Sequence, residues 1–173
     1  MNGTRRRVAR CVRATPGIHF NELVRTLDLA PGQVQYHLKR LIATDSVVDE
    51  QRYGRTHYFT PEVDDWERGA LSLVRRETAG DVVAALHDRG PMSPGALADV
   101  LDVARSTLEW HLDHLAEQDV VRKDRDERNR VTLVLTRPDE TAALLRTVQP
   151  STASRMVDRF TRLADHLLDD ADR

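Results

Sequence analysis

The sequence is short of the residues that build disulfides, metal clusters and membrane spans. Cys11 is the only cysteine in 173 residues, so the chain can form no internal disulfide and no zinc site made of several thiolates. No apolar run approaches the ~18 residues of a membrane-spanning helix, and the arginine-rich start lacks the apolar stretch of a signal peptide. We therefore expect a cytoplasmic protein with no membrane contact.

Lysine is scarce, and the charges are unevenly placed. Lys39 and Lys123 are the only lysines among 26 cationic residues, and all the others are arginines. Residues 1–60 carry ten cations against five acids, whereas the remainder carries sixteen against twenty-three. The net charge of −2 therefore hides a basic first part, which we expect to meet nucleic acid. With 40% hydrophobic residues, the chain can bury a core and fold.

The first sixty residues predict the order helix, helix, turn, helix, hairpin. Apolar residues recur at helical spacing in residues 5–14 and 20–27, and Pro31 suits the first position of a third helix within 29–43. Two β-prone runs follow, and the Tyr53-Gly54 pair between them marks a turn. The third helix would turn its apolar residues to a core: Val34, Leu38, Leu41 and Ile42.

The same order recurs 74 residues further along the chain. The phrase GQVQYHLKRL at residues 32–41 aligns with STLEWHLDHL at 106–115, and LDLA at 27–30 aligns with LDVA at 101–104. A second hairpin follows, with a longer tip of alternating charge at residues 123–130. Matches in register over several elements indicate an internal duplication, and a period this long indicates a repeated domain rather than a solenoid.

The duplication divides the chain into four parts. We expect a first domain at residues 1–61, a linking segment at 62–79, a second domain at 80–138 and C-terminal helices at 139–173. The linking segment has the pattern of a helix, and Thr78 is a candidate N-cap for the first helix of the second domain.

The last predicted helix carries an apolar stripe at 4-3-4 spacing, which is typical of helices that pack along their length. Its members are Met156, Phe160, Leu163 and Leu167. Two interpretations are open, because the stripe could form a dimer interface or could pack onto its own chain.

The element order and the two helix phrases resemble a known family. PGQVQYHLKRL and STLEWHLDHL resemble the recognition helix of ArsR- and MarR-type transcription regulators, and the tandem arrangement resembles a class of archaeal regulators. The preference for arginine over lysine resembles haloarchaeal proteins. The resemblance implies a mainly α fold with small β-hairpin wings: two winged helix-turn-helix domains in tandem plus a C-terminal helix. It also implies a sequence-specific transcription regulator that binds double-stranded DNA, which we expect to act as a homodimer.

The outward face of the third helix would be the DNA-reading surface. In this family the helix enters the major groove, and the wing tip touches the backbone or the minor groove. The glutamines and the tyrosine suit base edges, and the cations suit phosphates. The DNA contacts so predicted are Gln33, Gln35, Tyr36, Lys39 and Arg40 on the helix, with Arg52 and Arg55 on the wing. The cluster Arg5–Arg7 could neutralise a phosphate or could be a solvated helix end.

The second copy departs from this pattern. Glu109 stands where the first copy has Gln35, and Asp113 stands where it has Lys39. Carboxylates repel phosphates, so this helix is a poorer DNA reader. Its surface could still contact DNA, or could instead bind a protein partner through Trp110 as a module of a larger complex. The residues concerned are Arg105, Ser106, Trp110, His114, Arg125, Arg128 and Arg130.

Other candidate sites are weaker. His111 and His114 are three residues apart on one helix, but no third ligand is evident, so we predict no metal and no cofactor. Cys11 lies on an apolar helix face, where a buried small residue is a better interpretation than a redox switch. Glycine-rich phosphate loops and Ser/His/Asp groupings are missing from the sequence, so we expect no enzyme. The target genes and any effector stay open.

Overall fold

A computed structural model of the chain describes residues 3–148. In the first half it contains α1 (Gly3–Ala14), β1 (Ile18–His19), α2 (Phe20–Leu27), α3 (Pro31–Ile42), β2 (Val48–Arg52) and β3 (Arg55–Phe59). In the second half it contains α4 (Asp65–Val74), α5 (Glu77–Arg89), α6 (Pro94–Leu101), α7 (Arg105–Glu117), β4 (Val121–Arg125), β5 (Val131–Leu135) and α8 (Pro138–Val148). The predicted fold of two tandem winged helix-turn-helix domains is confirmed. The predicted stripe at Met156, Phe160, Leu163 and Leu167 lies outside the described residues.

The first domain packs three helices against a small antiparallel sheet. The strand order is β1-β3-β2, and β2 and β3 pair from Val48 opposite Phe59 to Arg52 opposite Arg55. The core takes one apolar stripe from each helix and one side of the sheet, as periodicity predicts. Its buried members are Val8, Val12, Ile18, Leu23, Leu27, Val34, Leu38, Leu41 and Val47.

Equivalent turns confirm that the duplication extends to the backbone. Asp28 and Asp102, both at φ 50°, end α2 and α6 in the left-handed conformation. Asp45 and Asp119, after the two recognition helices, share the same region at φ 51° and 55°. Aspartate is among the non-glycine residues that enter this region most readily, so the paired aspartates are a local cause of the shared chain path.

The second domain has the larger core, and the helix between the copies belongs to it. Helices α4 and α8 bury apolar residues in the same cluster as α5, α6, α7 and the second hairpin. Asp64 begins α4 as an N-cap, its side chain accepting the Glu67 N–H at 2.8 Å. The second hairpin has two strands, extended by a bridge between Met92 and Leu133. The chain therefore has two cores, and the second includes α4 together with Phe59 of β3.

One predicted boundary is wrong. Thr78 is not an N-cap, because α5 already begins at Glu77 and its N-cap position is Arg76, with no side-chain capping bond. The segment between α4 and α5 is consequently very short and consists of Arg75 and Arg76. The predicted limits of the linking segment and the second domain stay an interpretation.

The two faces of α3 should differ sharply in what they contribute to stability. Leu38 is buried in the first core, whereas Tyr36 is 52% exposed. Leu38→Ala should lower the free energy of unfolding by about 2–5 kcal/mol, since a buried leucine leaves a cavity. Tyr36→Ala should change it by no more than about 0.5 kcal/mol. Urea unfolding followed by circular dichroism measures both, and equal losses would contradict the orientation of α3.

Candidate DNA interface

The structure gathers the five predicted side chains of α3 on one solvent-facing side. Gln33, Gln35, Tyr36, Lys39 and Arg40 are all exposed, while the apolar residues between them are buried. The helix contains no acidic residue. This face therefore presents two amides, a phenol and two cations with no carboxylate beside them on the helix.

Arg40 is ordered along this face by Tyr36. Its guanidinium carbon lies 5.5 Å from the centre of the tyrosine ring, and one of its amino groups donates to the phenol oxygen at 3.4 Å. The two residues are four apart, the spacing at which helical side chains meet. His37 between them is only 6% exposed and contacts the ring of Tyr36 edge-on, so it supports the face from the core and does not belong to it.

The first wing ends in a two-residue turn. Tyr53 and Gly54 both have positive φ, at 52° and 78°, as a type I′ turn requires. The predicted turn at this pair is therefore confirmed. A tyrosine is uncommon in this region, which places the turn under more strain than an asparagine would.

The two wing arginines have different surroundings. Arg55 is exposed and has no hydrogen-bond or ion-pair partner among residues 3–148. Arg52 points the other way, with its guanidinium 2.6 Å from the Glu50 carboxylate and 2.5 Å from that of Asp65. Of the two, Arg55 is the cation that the first wing presents to solvent.

Glu50 holds Arg52 in place and is itself held by α4. Its other oxygen accepts from Arg68 at 2.7 Å. Burial alone would raise the pKa of Glu50, but the hydrogen bonds from Arg68 and Arg52 outweigh that effect and lower the pKa below its ordinary value. The carboxylate thus joins β2 to α4 as an anion.

A cleft between α2 and the first wing is lined by Arg55 and by residues that sequence reasoning missed. The cleft has a volume of about 510 Å³. Its lining comprises His19, Phe20, Asn21, Glu22, Arg25, Arg55 and Thr56. Arg25 is exposed and brings a second cation beside that of Arg55. The sequence feature that could have identified Arg25 is its position on the polar side of α2.

Burial lowers the pKa of both histidines beside this cleft. Nδ1–H of His19 donates to the Thr56 carbonyl at 3.2 Å, and the His19 ring lies 4.3 Å from that of His57. Burial lowers the pKa of His57 to about 4, although a contact with the Gly17 carbonyl opposes the shift. Burial also lowers the pKa of His19, and the positive charges of Arg75 and Arg55 add to that effect.

Two carboxylates of the second recognition helix form ion pairs with its own wing. Lys123 of β4 places its ammonium 2.7 Å from Asp113 and 3.5 Å from Glu109. The two acids that replace Gln35 and Lys39 of the first copy therefore bind a cation of the hairpin. Arg105 and Ser106 are exposed at the start of this helix.

The tip of the second wing is paired within itself. Arg130 donates to Asp126 at 2.7 Å, and Arg125 donates to Asn129 at 3.0 Å. Arg128 is exposed, and its backbone N–H donates to Asp126. The structure thus brings these arginines together, but with a carboxylate among them.

Trp110 is 42% exposed but not isolated. The His114 ring lies 4.1 Å from it, and the guanidinium of Arg76 lies 5.3 Å from its centre. His111 also contacts the indole. No group of three or more potential metal ligands occurs within residues 3–148.

The contacts of Cys11 and Arg7 indicate a structural role for both residues. Cys11 is partly buried, and its burial, together with the charge of Glu22, raises the pKa of the thiol. Arg7 donates to the Leu27 carbonyl at 2.8 Å, which ties α1 to the end of α2.

Within residues 3–148 no helix has the length and apolarity needed to cross a membrane.

Two family models match successive parts of the chain. One, described as an N-terminal HTH domain, matches residues 2–71, and the other, described as a helix-turn-helix domain, matches residues 76–124. No curated protein shows a significant match.

Several solved structures share a distant likeness. The YusO protein from Bacillus subtilis is 17% identical, with 82% of this chain and 89% of that chain covered and a TM-score of 0.41. DNA-bound, overoxidized AbfR is 15% identical, with 77% and 88% covered and a TM-score of 0.40. The PcaV regulator from Streptomyces coelicolor, in complex with its natural ligand, is 19% identical, with 84% and 94% covered and a TM-score of 0.39. At this level of likeness no property of those proteins carries over.

The two matched domains and the observed fold define a class, the proteins with two winged helix-turn-helix domains in tandem. The chain is a DNA-binding transcription regulator with two helix-turn-helix domains. The family resemblance inferred from the two helix phrases is thereby confirmed.

The Glu50 ion pairs should make stability depend on acid pH. A carboxyl whose folded pKa is lowered adds stability that is fully present above its unfolded pKa and is lost as pH falls through the folded pKa. The free energy of unfolding should therefore fall more steeply between about pH 5 and about pH 3 in the natural protein than in Glu50→Gln. Urea titrations across this range measure the difference, and parallel curves would contradict it.

Proposed function

We propose that the first domain reads a specific sequence of double-stranded DNA, with α3 in the major groove and the first wing on the adjacent backbone or minor groove. Gln33, Gln35 and Tyr36 would contact base edges, and Lys39 and Arg40 would contact phosphates. The observation that carries the proposal is the exposed face of α3, which holds these five side chains without an acid. Glutamine can bond adenine in bidentate fashion, and clustered cations release counterions from DNA.

The contrast with α7 supports the assignment to the first copy. The equivalent positions of α7 carry Glu109 and Asp113, which already bind Lys123. A phosphate approaching this helix would meet two carboxylates, and the cation that compensates them is shared with the hairpin. The first domain is therefore the better candidate for the main DNA contact.

We also propose that the protein binds as a homodimer, with the predicted stripe around Phe160 and Leu163 as the interface. Helix-turn-helix regulators with this geometry read two half-sites one helical turn apart, so a dimer would double the contact. The stripe lies outside the described residues. Light scattering of the natural protein and of Phe160→Asp would test this part separately from DNA binding.

The alternative function, a protein-interaction module with the second domain as partner surface, has less support. It depends on an exposed Trp110, but His114 and Arg76 already pack against that indole. The remaining exposed surface of α7 is polar and does not form the apolar centre typical of partner sites.

The test combines genome-wide mapping of bound sites with binding measurements on the mapped sequence. Lys39→Ala should weaken binding to all sequences and reduce the slope of log K against log salt by about 1, because one phosphate contact is lost. Gln35→Ala should instead relax the base preference at one position. Arg146→Ala, which removes an exposed cation on α8, is the matched control. A natural protein without preference for any sequence would refute the proposal.

Substitution of the two wing arginines should have different effects on the salt dependence of DNA binding. Arg55→Ala should reduce the salt slope, because Arg55 is exposed and unpaired within the described part of the chain. Arg52→Ala should leave the slope unchanged and should lower the free energy of unfolding, because its guanidinium binds Glu50 and Asp65. Equal slopes for the two variants would contradict the different orientations of these side chains.

A further inference from the structure

The turn of the first wing contacts the second domain. The Tyr53 hydroxyl lies 3.4 Å from Oε1 of Gln118, to which it donates, and its ring lies 5.1 Å from that of His114. Arg76 donates to the Tyr53 carbonyl. Arg52 reaches Asp65 of α4 at 2.5 Å. The left-handed conformation of Tyr53, which is uncommon for an aromatic residue, is thus held by contacts from the other domain.

Gln118, which ends α7, is the centre of this junction. Its amide donates to the Trp66 carbonyl at 3.4 Å, while Oε1 faces the wing. The side chain lies directly over Gly69, where an added Cβ would come within 2.1 Å of it. Trp66 in turn donates to the Asp119 carbonyl at 3.2 Å. Because position 69 is glycine, the Gln118 side chain at the end of α7 can lie across α4 and reach the wing.

The segment between α4 and α5 contacts both sides of the cleft between α2 and the first wing. Arg75 lies 2.5 Å from the Glu22 carboxylate of α2, and its neighbour Arg76 holds the turn at Tyr53. These two consecutive residues join α4 to α5 in the second domain. Arg75 therefore contacts α2 and Arg76 contacts the wing, and these two elements line the cleft that contains Arg25 and Arg55.

We infer that the second domain is a positioning element for DNA recognition, which fixes the first wing and α2 relative to α3 through Gln118, Arg75 and Arg76. This inference rests on the proposed function, since the cleft and Arg55 lie on the proposed DNA side. A wing held in its bound position loses less conformational entropy on binding, and preorganisation of this kind raises affinity without any contact to the ligand.

The test uses variants that remove no cation. Glu22→Gln deletes the Arg75 ion pair, and Gly69→Ala displaces Gln118 from its place on α4. Each should raise the Kd for the mapped DNA about three- to tenfold, from the entropy of the released segments, with an unchanged salt slope. Electrostatics alone predicts a lower Kd for Glu22→Gln, because removal of an acid beside DNA tightens binding.

Two controls separate positioning from misfolding. Gly95→Ala changes another helical glycine, whose added Cβ meets nothing closer than Ser93 Oγ at 4.0 Å, and should bind like the natural protein. The double variant Gly69→Ala/Gln118→Ala should bind no worse than Gln118→Ala, because both changes act through one contact. Thermal unfolding confirms that each variant is folded at the temperature of the binding measurement.

Tighter or unchanged binding by Glu22→Gln, together with Gly69→Ala binding like Gly95→Ala, would overturn the inference. If the natural protein binds no DNA, the proposed function fails, and amide hydrogen exchange then decides the positioning role separately. Faster exchange at residues 50–56 in Gly69→Ala than in Gly95→Ala supports that role, and equal exchange refutes it.

Discussion

The Gln118 side chain lies over Gly69 of α4 and meets the first wing, and the relation between the two domains depends on this contact. Phe59 of β3 is buried in the second core, so an apolar side chain of the first domain packs into the second. The junction adds polar groups, namely an amide, a phenol and the guanidinium of Arg52. Such bonds are directional, and they define an orientation that apolar packing alone would leave less specific.

Duplication followed by divergence accounts for the shared backbone and the different outward faces of the two halves. The shared backbone survives in the paired aspartates at the ends of α2 and α6, which have nearly identical φ angles. The outward faces have changed: Tyr36 orders Arg40 on the first recognition helix, whereas Trp110 stacks on His114 and Arg76 on the second. In the second copy, Lys123 of its own wing pairs with Glu109 and Asp113, and Tyr53 of the first wing contacts His114.

Much of the fold and part of the site could be predicted from local patterns. The buried face of α3, its exposed polar face and the Tyr53-Gly54 turn each follow from residues within a few positions of one another. Thr78 is not the cap because α5 begins two residues earlier than a Thr78 cap predicts, at Glu77, so that Thr78 lies inside its first turn. Arg25 was missed because its importance comes from the wing opposite, which is distant in sequence.

The sequence by itself determined the number of domains, the elements of each and the residues that α3 presents to solvent, because helical periodicity and turn chemistry act between near neighbours. Only the tertiary structure decided that Arg52 and Tyr53 face the second domain while Arg55 faces solvent. All three residues lie at one turn, and the local sequence does not indicate that they face different directions. Their directions depend on α4 and α7, which approach the wing through space, and on the room that Gly69 leaves for Gln118.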